Sequence, residues 1–246
     1  MEDRDKLEAR SDNKAKAKER NEHLAHTHIP GPRSCFGNWL LNFGANLTRR
    51  RANWQISGRE HIPQDRPYVI VANHVTFIDA LWILKSLPPD HCDRTCALIG
   101  ADLKTDYGLI GKLMTIAARS IPVDRKGKGA ARSLIIAKNA MAEGNNILIH
   151  PEGTRSRNGQ LGPFESGAAY LGYKYKAPIL PVYIKGGHDI WPPSQKLPRF
   201  RDKKGQPKNL TLYFAPCIEG GDFDDAKELN RALEQKYRDW QAELGY

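Results

Sequence analysis

The feature that most constrains the fold of this chain is a regular alternation of short apolar runs with segments of helical periodicity. Residues 67–72 (PYVIVA) form a continuous apolar, β-branched run, which is typical of a strand buried on both faces. Residues 77–87 follow with helical spacing and stop at a Pro-Pro pair. The same reasoning predicts strands at 95–99, 120–123, 146–150, 178–184 and 210–215, and helices at 107–117, 130–142, 164–175 and 224–244. Strands that alternate with helices predict an α/β fold with a mixed, largely parallel central sheet flanked by helices.

Composition describes a chain that can bury a core and that carries excess positive charge. Hydrophobic residues make up 40% of the 246 residues, which excludes wholesale disorder. Lys and Arg number 38 against 28 Asp and Glu, and the net charge of +10 favours an anionic partner: a phosphorylated metabolite, nucleic acid or anionic lipid. The four cysteines include no CxxC pair, which argues against a zinc knuckle or a disulfide framework and favours a reducing compartment.

The N-terminal part of the chain differs in composition from the rest. Residues 1–33 mix acidic and basic side chains with almost no apolar ones, and we expect a charged flexible arm there. The sequence has neither the apolar run of a signal peptide nor a stretch of about 20 apolar residues that would span a membrane. We therefore expect a cytoplasmic protein that is soluble or peripheral to the inner face of a membrane. Residues 54–246 are predicted to form one folded domain.

Residues 34–53 are predicted to form an amphipathic helix capped by Ser34. Apolar side chains recur at helical spacing along one stripe, and three arginines follow directly. An aromatic-rich stripe that ends in arginines is what a helix lying in a membrane interface needs, so we predict contact with an anionic membrane surface. The alternative is that the stripe packs on the body as ordinary core. The predicted membrane-contact residues are Phe36, Trp39, Leu40, Phe43 and Leu47.

A candidate catalytic pair follows the strand at 67–72. His74 leaves this strand and Asp79 stands five residues later, at a helix start. An Asp that holds one imidazole nitrogen leaves the other free as a general base. No Ser or Cys lies in a nucleophile-elbow pattern, so the nucleophile is predicted to be a substrate hydroxyl or amine. The alternative is that His74 is a satisfied polar residue and Asp79 a helix N-cap.

A second polar turn follows the strand at 146–150. It reads Pro-Glu-Gly-Thr-Arg over residues 151–155 and predicts an anion cradle at the carboxyl edge of the sheet, where ligands of such sheets gather. Glycine allows close backbone approach, threonine donates a hydroxyl, and arginine offers a bidentate fork to phosphate. The alternative is an ordinary polar loop whose arginine is solvated.

Taken together, these two turns resemble the motifs of the glycerolipid acyltransferase family. Four blocks match in order: residues 73–79 resemble the NHxxxxD block, 120–125 the second block that ends in an Arg, 150–156 the FPEGTRS block, and 179–183 the proline-containing strand. A lone HxxxxD pattern is weak, whereas four ordered blocks are specific. The resemblance extends from about residue 54 to residue 218. It implies a glycerolipid acyltransferase-like fold, with an acyltransferase domain at 54–246.

The resemblance also implies a reaction. The chain would be an O-acyltransferase that moves a fatty acyl group from acyl-CoA or acyl-carrier protein to the free hydroxyl of 1-acylglycerol 3-phosphate (lysophosphatidic acid), giving phosphatidic acid in phospholipid biosynthesis. His74 would be the catalytic base and Asp79 its orienting partner. The acyl thioester is a co-substrate, and neither a cofactor nor a metal is expected. For Arg125, a surface ion pair with Asp124 is the alternative. The expected substrate-binding residues are Asn73, Arg125, Glu152, Gly153, Thr154 and Arg155.

Some positions depart from the family pattern. The stretch 164–168 carries Glu165 where family members carry a Lys, and the third block opens with His150 instead of Phe. These changes concern the acceptor side, so acylation of another lysolipid or a lyso-aminolipid is an alternative. A non-catalytic module that binds a membrane or nucleic acid is a third possibility. The absence of an RNA-binding aromatic motif or a helix-turn-helix signature, together with the pairing of His74 and Asp79, argues against it, and no nucleic-acid partner is expected.

Overall fold

The structure is a computed structural model that describes residues 29–123 and 128–244. Its strands form one mixed sheet, and helices cover both faces. The strands are β1 (Asn53–Ser57), β2 (Val69–Ala72), β3 (Thr95–Gly100), β4 (Ser120–Val123), β5 (Asn146–Ile149), β6 (Pro178–Lys185), β7 (Asn209–Phe214) and β8 (Ile218–Glu219). The α-helices are α1 (Cys35–Arg51), α2 (Asp79–Ser86), α3 (Pro89–Asp93), α4 (Leu103–Asp106), α5 (Gly108–Ala117), α6 (Lys128–Ala142), α7 (Gly167–Tyr175), α8 (Gly187–Ile190) and α9 (Ala226–Leu244). Two 3₁₀ turns lie at Arg59–His61 and Gly220–Asp222.

The strand order is β1-β7-β6-β2-β5-β3-β4, and β8 pairs with the first residues of β6. The central strands β6, β2, β5, β3 and β4 run parallel to one another. The strand β7 is antiparallel to β6, and β1 is parallel to β7. The predicted α/β class with a mixed, largely parallel sheet is therefore confirmed.

The core explains why the central strands carry continuous apolar runs. All four residues of β2 are fully buried, and they alternate between two hydrophobic clusters, one on each face of the sheet. Helices α1, α2 and α5 contribute to one cluster, and α6, α7 and α9 contribute to the other. Full burial of a Val or Ile side chain stabilises the folded state by about 1.5–3 kcal/mol. Because β2 is covered on both faces, burial of its side chains favours its position at the centre of the sheet.

Helix α1 is fixed to the body at its start and near its end. The Ser34 side chain accepts the Gly37 N–H at 3.0 Å, which confirms the predicted cap. Ahead of the helix, the buried Arg33 side chain donates to the Ala117 carbonyl at 2.7 Å and pairs with Asp93 at 3.2 Å. Thr48 accepts the indole N–H of Trp82 in α2 at 3.0 Å. No helix within 29–123 or 128–244 is long and apolar enough to cross a membrane.

Several element bounds differ from the sequence-based expectation. The helix predicted from residue 77 begins at Asp79, because the preceding residues form a turn around the Asp79 carboxylate. The helix predicted from residue 164 begins at Gly167. The strands β1 and β8 were not predicted; the short β1 has no fully buried residue and therefore lacks the apolar run that marks the central strands.

Candidate active site

The first half of the site is the turn that follows β2. Asn73 is fully buried, and its side-chain amide pairs with the backbone of Ile184 in β6. The Asn73 Nδ2 donates to the Ile184 carbonyl at 3.0 Å, and its Oδ1 accepts the Ile184 N–H at 2.7 Å. These bonds fix the point at which the chain leaves the sheet. A substrate contact of Asn73 stays a prediction, because the bonds that the structure assigns to its amide go to backbone.

His74 and Asp79 form a hydrogen-bonded pair at this turn. The His74 Nδ1 lies 2.9 Å from the Asp79 Oδ2, so the neutral imidazole carries its proton on Nδ1 and presents a lone pair on Nε2. The Asp79 side chain is fully buried, whereas 21% of the His74 side chain is exposed. The predicted pairing of these residues is confirmed, and the exposed edge of His74 faces a cavity.

The residues just before α2 hold the Asp79 carboxylate in place. Its Oδ2 also accepts the N–H groups of Val75 at 2.6 Å and Thr76 at 2.8 Å, and its Oδ1 accepts the Thr76 hydroxyl at 2.6 Å. Burial acts to raise the pKa of Asp79, but the hydrogen bond and charge of His74 and the Thr76 bond outweigh it and hold that pKa below its usual value. Asp79 is therefore an ionised carboxylate of fixed orientation.

The second half of the site is the turn after β5. Because β5 lies parallel beside β2, the two turns meet, and the His74 N–H donates to the Glu152 Oε1 at 2.7 Å. The Glu152 Oε2 accepts the Gly162 N–H at 2.9 Å. Burial raises the pKa of Glu152 to about 7, although both N–H bonds act to lower it. Gly153 adopts a φ of +64°, a left-handed conformation that favours glycine, within a turn closed by its N–H on the His150 carbonyl at 3.1 Å.

His150, the residue that follows β5, lies flat against His74. The two ring centroids are 4.2 Å apart and the rings are inclined by 12°. The His150 Nδ1 lies 2.9 Å from the Ala72 carbonyl and 3.2 Å from the Asn73 carbonyl, so it donates and carries the proton. Burial, aided by the charge of His74, lowers the pKa of His150 to about 4. Sequence reasoning noted His150 only as a departure from the family motif; its position at the end of a strand next to β2 was the available signal.

Arg155 lies at the mouth of the site on two aromatic rings. Its guanidinium carbon is 3.5 Å from the centroid of the Phe77 ring, and its Nη2 donates to the Tyr107 hydroxyl at 2.8 Å. The two aromatic rings meet edge to face at 4.5 Å. Sequence reasoning missed both aromatic residues as parts of the site. Tyr107 lies between two helices with no motif around it, so only the fold brings it near Arg155.

A cavity of about 530 Å³ begins at these two turns. Its polar end includes His74, Glu152, Arg155 and Glu165. Its apolar part is lined from both sides of the sheet edge by Ala80, Leu81, Leu98, Ile99, Met114, Ala118 and Leu134. The volume is in the range of small-ligand sites. The cavity can therefore hold a polar group against the His74 base and an aliphatic chain beyond it.

The structure brings most of the predicted substrate-binding residues to this cavity. Glu152, Gly153, Thr154 and Arg155 all line it. Arg125 lies outside the described residues, and so does most of the predicted N-terminal arm. Among the residues that are described, no group of three or more His, Cys, Asp or Glu side chains has the geometry to hold a metal ion.

Comparison with known families gives a match over the region that contains both turns. Residues 53–185 match the family model described as "Acyltransferase". In addition, the fold resembles the crystal structure of the 1-acyl-sn-glycerophosphate (LPA) acyltransferase PlsC from Thermotoga maritima. The TM-score is 0.67 at 22% sequence identity, over 85% of this chain and 79% of that one. This likeness supports the fold.

Curated relatives match over more than half of the chain. The mouse 1-acyl-sn-glycerol-3-phosphate acyltransferase alpha is 32% identical over 148 residues, which cover 59% of this chain and 49% of that protein. The 1-acyl-sn-glycerol-3-phosphate acyltransferase of Limnanthes douglasii is 31% identical over 173 residues, which cover 69% of this chain and 56% of that protein. The chain thus spans about half the length of the curated relatives it matches.

Proposed function

Because the chain belongs to the acyltransferase family, we propose that it transfers a fatty acyl group from an acyl thioester to the free hydroxyl of lysophosphatidic acid. The observation that carries this proposal is the His74–Asp79 pair, because its histidine lines a cavity that has both polar and apolar walls. The names of the relatives support lysophosphatidic acid as the acceptor. Acyl-CoA and acyl-carrier protein are both suitable donors.

The proposed mechanism uses His74 as a general base. Its Nε2 takes the proton of the acceptor hydroxyl while the hydroxyl oxygen attacks the thioester carbonyl carbon. The ionised Asp79 stabilises the imidazolium that forms, and such base catalysis is worth about 10²–10⁴-fold. When the tetrahedral intermediate collapses, the carbon–sulfur bond breaks and His74 returns the proton to the thiolate. The thioester is already activated, so we assign no step to a metal or cofactor.

The two ends of the cavity suit the two ends of a lysolipid. Arg155 offers a guanidinium to the acceptor's phosphate, and the aromatic rings of Phe77 and Tyr107 keep that guanidinium oriented. The apolar part of the cavity suits an aliphatic chain. Arg125 and Thr154 stay in the proposal as further phosphate ligands.

We also propose that the chain acts at a membrane surface, on the cytoplasmic leaflet. The three aromatic side chains of the predicted stripe are more than half exposed on α1 and stack in series: Phe36–Trp39 at 5.9 Å and Trp39–Phe43 at 5.4 Å. Leu40 and Leu47 instead pack partly against the core. Arg49, Arg50 and Arg51 at the end of α1 suit the negative potential of that leaflet.

Helix α5 extends this exposed apolar surface. It packs beside α1, where a Cβ on Gly37 would lie 3.1 Å from the Ile116 carbonyl oxygen. Leu109 is 71% exposed, and Ile110 and Ile116 are more than 40% exposed. Contiguous exposed apolar side chains of this kind mark an interaction surface, and the adjacent arginines favour anionic lipid as the partner.

Glu165 supports a second acceptor. This exposed carboxylate lines the polar end of the cavity, and its Cγ lies 3.7 Å from where a Cβ on Gly153 would be. A carboxylate in the same cavity as Arg155 suits a lysolipid that carries an ammonium group besides its phosphate. A zwitterionic lysophospholipid or a lyso-aminolipid is therefore the alternative acceptor.

The experiment that tests the function incubates the purified chain with labelled acyl-CoA or acyl-carrier protein and a panel of lysolipids, and identifies products by mass. We expect phosphatidic acid from lysophosphatidic acid. A faster reaction with a zwitterionic lysolipid, reversed in a Glu165→Lys variant, would favour the alternative acceptor. Absence of acyl transfer to every acceptor with both donors would overturn the proposed function.

A further inference from the structure

We propose that His150 is a positioning residue for the His74 base. The flat face of its neutral imidazole fixes the orientation of the His74 ring and stabilises the imidazolium that forms when His74 takes a proton. This inference rests on the proposed function, because it concerns the same site.

The contacts of His74 show why a second partner matters. The hydrogen bond between the His74 Nδ1 and Asp79 holds one edge of the ring, yet a ring held at one edge can still tilt about that bond. The parallel His150 ring at 4.2 Å covers one face of His74 and restricts the tilt. Edge and face together define where the His74 Nε2 points in the cavity.

His150 is itself fixed by the sheet. It follows β5, and its Nδ1–H donates to the carbonyls of Ala72 and Asn73 at the end of β2. These are the residues that lead into His74, so the His150 ring is held at the strand end from which His74 projects. The His150 Nε2 is buried and has no hydrogen-bond partner among the described residues. A proton on that nitrogen would bury a charge without a partner, which disfavours the cationic form of His150.

The charge state of His150 determines whether its ring stabilises or destabilises the imidazolium form of His74. A cation over a neutral aromatic face is attracted by the electron-rich ring, so the stack favours the imidazolium form of His74 in the transition state. A second imidazolium at the same distance would repel it. Burial lowers the pKa of His150 to about 4, which keeps the ring neutral near pH 7.

The test compares His150→Phe with His150→Leu. Phe keeps a flat aromatic face but loses the Nδ1 donor, whereas Leu fills much of the space without a π face. We expect the kcat of His150→Phe to lie within about 3-fold of wild type. For His150→Leu we expect a kcat about 10-fold lower, in line with the strength of cation–π contacts, with the KM values of donor and acceptor unchanged.

A matched control removes an equivalent hydrogen bond elsewhere. The His61 Nδ1 lies 3.0 Å from the Phe214 carbonyl, outside the site, so His61→Ala loses a similar histidine-to-carbonyl contact and is expected to leave kcat unchanged. Urea denaturation of every variant establishes that it folds. The NMR signal of the His74 Nδ1 proton gives a second measurement that needs no activity: we expect it to stay sharp in His150→Phe and to broaden in His150→Leu.

Equal kcat values for the Phe and Leu variants, whether high or low, would overturn the proposal, because the aromatic face would then make no difference. A His74 Nδ1 proton signal as sharp in His150→Leu as in wild type would also overturn it. If the wild type transfers no acyl group at all, the proposed function fails, and the NMR comparison still decides whether His150 positions His74.

Discussion

At the scale of single residues, the site depends on one carboxylate that accepts four hydrogen bonds. Three of them reach the Asp79 Oδ2, and the Thr76 hydroxyl reaches Oδ1. In Asp79→Asn, the side-chain NH₂ can take the position of Oδ1. The Thr76 hydroxyl, which donates to Oδ1 in the wild type, can rotate and accept a hydrogen bond from this NH₂. The variant then keeps its fold but loses the charge that stabilises the His74 imidazolium. We expect kcat to fall about 100-fold or more, with little change in either KM, in steady-state assays.

A companion variant separates charge from hydrogen bonding. Thr76→Val removes the bond to the Asp79 Oδ1 but leaves the carboxylate charged, so a loss of kcat of about 10-fold at most is expected. If Thr76→Val and Asp79→Asn reduced kcat equally, orientation alone would explain the effect, and the role of the Asp79 charge would be refuted.

Arg155 provides a prediction about the acceptor. A charge-assisted hydrogen bond contributes roughly 1.5–3 kcal/mol, so Arg155→Ala is expected to raise the acceptor KM by ~10- to 150-fold and to leave the donor KM nearly unchanged. Steady-state kinetics with both substrates varied measures this. Arg157→Ala is the matched control, because Arg157 is exposed and close in sequence but does not line the cavity. A raised donor KM with an unchanged acceptor KM would contradict this role and indicate that Arg155 binds the thioester donor instead.

Glu152 gives a prediction about stability and pH. Its pKa rises from 4.5 to about 7 on folding, so the folded state holds more protons than the unfolded state between these values. The free energy of unfolding is therefore expected to fall by about 3 kcal/mol through this residue as pH rises from about 4.5 to 7. Urea denaturation of wild type and Glu152→Gln over this range measures the difference.

The comparison with Glu152→Gln also removes the effect of His150. The pKa of His150 is lowered to about 4, so the unfolded state binds more protons and His150 contributes stability that increases with pH from about 4 to 6.5. This contribution has the opposite sign and is common to both proteins. A wild type that gains stability relative to Glu152→Gln as pH rises would contradict the buried state of the Glu152 carboxyl.

Sequence and structure agree at the residue scale where the spacing is local. The pairing of His74 with Asp79 was predictable, because five residues separate them across a single turn. The stacking of His150 on His74 and the contact of Arg155 with Tyr107 were not, because each depends on which strands and helices lie side by side. The fully buried amide of Asn73 is a further example. Its motif is visible in the sequence, but its hydrogen-bond partner, the backbone of Ile184, lies in β6 and could not be predicted from the motif.

At the scale of elements, α1 combines a buried face with an exposed aromatic face. Its inner face carries Gly37, Leu41, Ala45 and Thr48 and is buried against the body. The helix, its Ser34 cap and its apolar stripe were predictable from periodicity. The sequence did not predict that the stripe would divide into exposed aromatic side chains and partly buried leucines. Contacts with α2 and α5 decide which side of the helix faces the body, and periodicity does not reveal those contacts.

The exposed face gives a prediction for membrane binding. Changing Trp39 and Phe43 to Ser is expected to reduce co-sedimentation with anionic liposomes by at least about 10-fold, since each aromatic side chain contributes about 1.5–3 kcal/mol on burial. Activity on a short-chain, water-soluble acceptor should persist. Tyr170→Ser with Tyr175→Ser is the matched control, because these aromatics are exposed on α7, on the other face of the sheet. If the Trp39/Phe43 variant unfolds and the wild type binds no liposomes, α1 is part of the core and the membrane proposal fails.

At the scale of the whole molecule, the strand order determines where the residues of the candidate active site meet. The class of the fold followed from the alternation of strands and helices, but the order β6-β2-β5 did not, because periodicity does not tell which strands are neighbours. That order puts the turns after β2 and β5 side by side and joins them through the Glu152 carboxylate. The edge strands β1 and β8 were missed for a related reason: short strands with little burial leave no apolar run in the sequence.

The most direct test of the account is the initial rate of acyl transfer from a labelled thioester to a lysolipid by wild type and by His74→Ala. General-base catalysis supplies about 10²–10⁴-fold, so the variant is expected to lose at least about 100-fold in rate while its urea denaturation midpoint stays close to that of wild type. A folded His74→Ala protein that keeps more than about a tenth of the wild-type rate would contradict the assignment of His74 as the base.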